Sequence, residues 1–254
     1  MKKLHSIFST LGALVLAAAP LAAQGVSAPV PLGAGALKKY PYSMAGQLIF
    51  SSGEYYYQGS GTVIYRRSVL TAAHNVWNPD TGWSTNIEFN RSRSGNSFAS
   101  HQFATRLFVF GSYRSATALY GVDSTRAFAG DLGGLRFNAM PAGGAFAGWR
   151  ADSRFLTGAA PDICLGYGAE VHSGNDLLVV EASVGFHPIL GALMESNSLT
   201  FEAGMSGGPV FAEVAPDDFR IVGVVVAGSV DPPGAGIRAL DATGAAFIGA
   251  YLRY

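Results

Sequence analysis

The sequence predicts an all-β fold closed by a C-terminal helix, and three observations carry that prediction. Short β-prone runs recur from Tyr40 onward, at Gly46–Phe50, Gly61–Tyr65, Thr105–Phe110, Leu177–Val180 and Ile221–Val226. The pieces between them carry Ser-Gly, Asn-Pro and Asp-Pro-Pro-Gly turn chemistry, and 33 glycines suit tight turns better than long helices. Many short strands separated in this way argue for barrels or sandwiches. Helical periodicity is persuasive only at the end. There Asp241 can cap, and Ala245, Ile248, Tyr251 and Leu252 fall on one face at three- and four-residue spacing. Gly244 softens the start of that helix.

Lys2, Lys3 and His5 precede an apolar run from Leu11 to Ala19, then Pro20 and Leu21-Ala22-Ala23. That is the order of a secretory signal peptide over residues 1–23, with cleavage near Ala23–Gln24. The run is shorter than the ~20 residues a spanning helix needs. The expectation is therefore a secreted or periplasmic protein with no stable membrane insertion after signal removal. Residues 24–39, rich in Ala, Gly, Pro and Val, read as an extended leader or pro-segment. The Gly/Ala-rich piece Pro141–Gly148 is the best linker, dividing the rest into residues 40–140 and 141–254.

Lys plus Arg balance Asp plus Glu at 17 each, so the chain has no global field with which to gather nucleic acid or anionic lipid. A monomer acting on a protein or peptide is expected instead. Cys164 is the only cysteine, which excludes an intramolecular disulfide. In Asp162-Ile-Cys164-Leu-Gly166 it reads as a small buried hydrophobe rather than a nucleophile.

Three segments carry chemistry. Leu70-Thr71-Ala72-Ala73-His74 ends a β-branched run on small residues that let a short turn pack tightly and aim an imidazole sideways. Gly204-Met-Ser206-Gly-Gly-Pro-Val210 embeds a serine among glycines, where backbone can approach a substrate closely with amide N–H groups free. Gly130-Asp131-Leu-Gly-Gly-Leu-Arg-Phe137 places a carboxylate at the head of an apolar strand, where it needs a buried partner such as an imidazole N–H. Asp123 is the fallback for that carboxylate.

In the order His, Asp, Ser these segments resemble the trypsin/chymotrypsin-like serine peptidases, bacterial secreted branch. Tyr40-Pro-Tyr-Ser43, Gly166-Tyr-Gly168, Ile221-Val-Gly-Val-Val225 and Gly236-Ile-Arg238 resemble further strands of that family in the same order. The resemblance implies two six-stranded antiparallel β-barrels with the active site in the cleft between them. It implies a triad of His74, Asp131 and Ser206, an oxyanion hole from the N–H groups of Gly204 and Ser206, and no metal or organic cofactor. Thr200, Phe201, Ala227, Gly228 and Gly236 would line the primary substrate pocket, with Glu202 within reach of its rim. No Asp stands at Thr200 and no His at Val225, which argues against strict preference for basic or glutamate side chains and favours a neutral or apolar one.

The chain also departs from the family's pattern. Met205 stands where many members have an Asp that pairs with a new N-terminal amine, Val226 where many have a Ser supporting the triad Asp. Gly133 and Gly134 replace bulkier strand residues. The competing expectations are a catalytically silent binding module on the same fold, and a metal-binding protein built on His74, His101, His172 and His187. Those histidines lack close ligand spacing.

Overall fold

The computed structural model describes residues 26–158, 161–182, 185–231 and 233–254. The expected signal peptide lies outside the described residues. The first part contains β1 (Val30–Pro31), β2 (Ala45–Ser52), β3 (Tyr55–Tyr65), β4 (Ser68–Thr71), β5 (Trp77–Asn78), β6 (Gly82–Trp83), β7 (Thr85–Arg91), β8 (Ser100–Phe103) and β9 (Arg106–Val109). Helices α1 (Gly111–Tyr120) and α2 (Thr125–Ala129) follow, then β10 (Gly133–Arg136). The second part contains β11 (Asp162–Gly166), β12 (Leu178–Ala182), β13 (His187–Leu190), β14 (Leu193–Ser196), β15 (Pro209–Ala215), β16 (Asp218–Ser229), β17 (Gly234–Ala239) and helix α3 (Ala242–Leu252).

The first large sheet runs β8-β7-β2-β3-β4-β10-β9 and the second β1-β12-β11-β15-β16-β17-β14-β13. Setting aside the short edge strands β8, β1 and β13 leaves a body of six strands in each, as the two-barrel fold requires. Local chemistry explains the register. The two-residue loop Gly53-Glu54, with Gly53 at φ 58°, opposes Ser52 to Tyr55 and so fixes the long β2–β3 ladder. Alternation along β2 then turns Leu48 and Phe50 into the core, each at most 1% exposed. A second apolar core, with Cys164, Val180, Phe201, Met205, Val225 and Ile237, fills the other barrel. Burial raises the Cys164 thiol well above its ordinary pKa.

Helix α3 forms where the sequence expects it, with the Asp241 carboxylate accepting the Gly244 N–H at 2.8 Å. It leaves the second barrel and buries Ile248 and Tyr251 against the first, the Tyr251 ring stacking on Phe108 at 5.3 Å. The glycines at 133 and 134 acquire a reason here. A Cβ on Gly134 would stand 3.0 Å from the Tyr251 ring.

Two features differ from the sequence expectation. Helices α1 and α2 occupy a stretch with no persuasive helical pattern, and they form because Tyr113, Ala116 and Ala127 pack together against Ala73 and Trp77. Tyr42–Met44 is a 3₁₀ turn, so the first long strand begins at Ala45 rather than at Tyr40. The described part of the segment read as a leader pairs with the second barrel: Val30 and Pro31 oppose Val179 and Leu178, and Ser27 bridges Leu199. No described helix is long and apolar enough to cross a membrane.

Candidate active site

His74 sits in the 3₁₀ turn Ala73–Asn75 directly after β4. Gly133 pairs with Thr71, and a Cβ on it would stand 2.7 Å from the Ala72 carbonyl oxygen, so glycine there admits the histidine-bearing turn. Asp131 lies between α2 and β10. Gly130 before it lets α1 approach, since a Cβ would stand 2.7 Å from the Tyr113 nitrogen. These close approaches bring the Asp131 carboxylate, which is fully buried, onto His74 twice. Its Oδ1 accepts the His74 backbone N–H at 3.0 Å, and its Oδ2 lies 2.6 Å from Nδ1. Two hydrogen bonds to one buried carboxylate fix the ring plane and commit Nδ1 to the partner. The fallback Asp123 is exposed in the loop before α2.

Arg238, only 1% exposed, supplies positive charge nearby. Burial lowers its pKa, and the charges of Asp241 and Asp131 act in the opposite sense. Its guanidinium donates to the Ala239 carbonyl and, at 3.0 Å, to Asp241. Val226 brings no polar group to this region; its side chain is buried in the core.

Ser206 is 3% exposed, and its Oγ makes no hydrogen bond among the described residues. Its backbone carbonyl is held by the first barrel. The Ser60 N–H donates to it at 2.7 Å and Asn75 Nδ2 at 2.9 Å, so the residue adjoining His74 grips the serine's own main chain. Asn75 Nδ2 also donates to Thr71 Oγ1, which donates to the Ser60 carbonyl. Ser60 Oγ donates to the Gly204 carbonyl and accepts the Tyr167 N–H, both at 2.8 Å. Gly204 and Gly207 have φ of 93° and 88°, a left-handed backbone that glycine adopts without strain. Ser60, Thr71, Asn75 and Tyr167 form a hydrogen-bonded network around the Ser206 turn that sequence reasoning missed. Their one sequence cue is Gly59-Ser60-Gly61, a small polar residue between glycines in an otherwise apolar strand.

The five expected pocket residues are all buried, and two pairs of them are in contact. Gly228 lies against Phe201, where a Cβ would stand 2.5 Å from the Phe201 Cβ. Gly236 pairs with Ala227 across β16 and β17, and Thr200 donates its N–H to the Ser27 carbonyl at 3.1 Å. Glu202, expected within reach of the pocket rim, makes its described side-chain hydrogen bonds to residues 171 and 172. It is 1% exposed and turns to the loop before β12, with Oε1 2.5 Å from His172 Nδ1. Of the four histidines of the metal-binding alternative, His74, His101 and His172 each face a different carboxylate, of Asp131, Glu88 and Glu202.

No protein-family model and no curated protein matches the chain. Solved structures do. A Glu endopeptidase is similar with a TM-score of 0.68 at 18% identity, covering 91% of this chain and 98% of that one. The protease Anisep from Arthrobacter nicotinovorans gives 0.65 at 15% identity, covering 85% and 98%. The thermostable serine protease AL20 from an extremophilic microorganism gives 0.65 at 14% identity, covering 84% and 98%. At such identities the likeness is one of fold, and the fold it establishes is the two-barrel architecture of the chymotrypsin-like serine proteases.

Proposed function

We propose that this chain is an exported bacterial serine endopeptidase, acting as a monomer on protein or peptide substrates. The observation that carries the reading is the double hydrogen bond that the buried Asp131 carboxylate accepts from His74, beside a serine whose main chain Asn75 holds. Among the described residues Ser206 Oγ has no competing partner, and apo geometries of catalytic groups are commonly looser than those of the substrate complex.

In this reading Ser206 Oγ attacks the scissile carbonyl while His74 Nε2 takes its proton. The amides of Gly204 and Ser206 receive the negative charge that develops on the carbonyl oxygen. His74 then gives the proton to the leaving amine, and Asp131 holds the imidazole tautomer and stabilises its charged form. Water repeats the sequence on the acyl-enzyme and releases the acid. The primary pocket formed by Thr200, Phe201, Ala227, Gly228 and Gly236 carries no charge, and takes a neutral side chain.

The test is covalent labelling by a fluorophosphonate together with hydrolysis of a fluorogenic peptide. Wild type should label at Ser206 and turn over the peptide. Ser206→Ala should do neither, with turnover down on the order of 10⁶-fold and an unchanged melting temperature. Equal turnover by the purified Ala variant would overturn the proposal.

A further inference from the structure

The turn that presents Gly204 and Ser206 is held from the first barrel by Ser60 and Asn75, and Met205 adds no charge of its own. Its side chain is fully buried in the second core. A second hold comes from Glu202, at the head of the same turn. One carboxylate oxygen lies 2.5 Å from His172 Nδ1; the other accepts the N–H groups of Val171 and His172, each at 3.1 Å. The turn closes on itself through the Met205 N–H to the Glu202 carbonyl at 3.0 Å. The Ala203 carbonyl accepts the Ala169 N–H at 2.7 Å, and the Ala203 N–H faces the Glu170 carboxylate at 3.5 Å. The loop rests directly on the carboxylate, for a Cβ on Gly168 would stand 2.6 Å from Glu202 Oε2. A carboxylate buried this deeply is unfavourable unless its acceptor sites are filled, and here three donors from one separate loop fill them.

We infer that Glu202 and His172 are positioning residues. Their contact pins the loop 168–172 to the nucleophile turn and so holds the Gly204 and Ser206 amides where an oxyanion would be bound. The inference rests on the peptidase reading. The described hydrogen bonds of both side chains lie between the turn and the loop 168–172, so the pair acts through the turn and its loss weakens transition-state binding more than substrate binding.

The experiment uses the purified protein with a fluorogenic peptide, the peptide aldehyde of the same sequence and a fluorophosphonate. Glu202→Gln should lower kcat about 10²-fold, the scale of a misplaced catalytic group. KM should change little, and aldehyde affinity should fall by the same factor as kcat/KM. His172→Ala, which leaves Glu202 its backbone donors, tests the contact independently should Glu202→Gln fail to fold. It should lower kcat about tenfold. His172→Asn, whose amide nitrogen takes the place of Nδ1, should restore most of that loss. Wild-type protein that neither cleaves nor labels at Ser206 defeats the peptidase reading itself. Active wild type, with folded variants of unchanged kcat or with KM alone raised, overturns the positioning role alone.

Discussion

Replacing Asp131 with Asn probes the hold on His74 at constant side-chain volume. Both carboxylate oxygens are in use, Oδ1 by the His74 backbone N–H and Oδ2 by Nδ1. An amide offers one acceptor and one donor, so only one of these contacts survives. If the amide oxygen keeps the backbone N–H, its nitrogen faces Nδ1 and donates to it. The ring proton is then driven to Nε2, the atom that must accept the proton of Ser206. General-base assistance from a positioned imidazole is worth about 10²–10⁴-fold. The lost charge-assisted bond adds about 1.5–3 kcal/mol, some of which appears in the transition state. Together they place the expected fall in kcat near 10⁴-fold, about 5 kcal/mol. KM for a fluorogenic peptide should stay within about threefold, because substrate contacts are untouched. The assay is steady-state turnover beside fluorophosphonate labelling, with a melting curve to show that the buried slot is still filled. A folded Asn variant that retains more than about a tenth of wild-type kcat would refute the argument.

Two further outcomes follow from buried groups away from the cleft. Burial pushes the Asp162 carboxyl up to about 7, so the folded chain keeps a proton that the unfolded chain releases from about pH 4 upward. The penalty therefore grows between pH 4 and 7, and Asp162→Asn should add up to about 4 kcal/mol of unfolding free energy at pH 8 and almost none at pH 4. Urea titrations at both pH values check this, and an equal gain at both would contradict it. Cys164 is fully buried with its thiol pKa raised, so a disulfide reagent should leave native protein unmodified and label one thiol after unfolding. Rapid labelling of the native chain would show that the β11 environment is open.

The legible parts of this protein are those written in contiguous residues. The His74 and Ser206 segments each combine a small-residue run with a β-strand, and the terminal helix announces itself through Asp241 and the spacing of Ile248 and Tyr251. Helix α1 was not legible because its stability is tertiary: Tyr113 and Ala116 face α2 and the histidine turn, and no side-chain cap marks its start. The anchors of the nucleophile turn were illegible for a related reason. Ser60 reaches Gly204 across 144 residues and Asn75 reaches Ser206 across 131, separations over which no periodicity speaks. The role of Glu202 was not legible because its hydrogen-bond partners are some thirty residues away in sequence. Its partner, His172, comes from a loop whose position only the folded sheet defines.

The two flanking segments of the chain each cross to the far half of the molecule. Ser27 and β1 precede the first barrel in sequence yet pair with the second, and α3 follows the second barrel yet sets Tyr251 on Phe108 and Gly134 of the first. The halves are thus lashed in opposite directions. A hinge opening that carried His74 away from Ser206 would have to peel a strand from one half or a buried tyrosine from the other. The spacing of His74 and Ser206 is in this sense borne by the straps, and the Gly/Ala-rich segment 141–148 shares the load, its Ala147 N–H donating to the Val63 carbonyl at 2.8 Å and its Gly148 carbonyl accepting the Ile221 N–H at 3.0 Å.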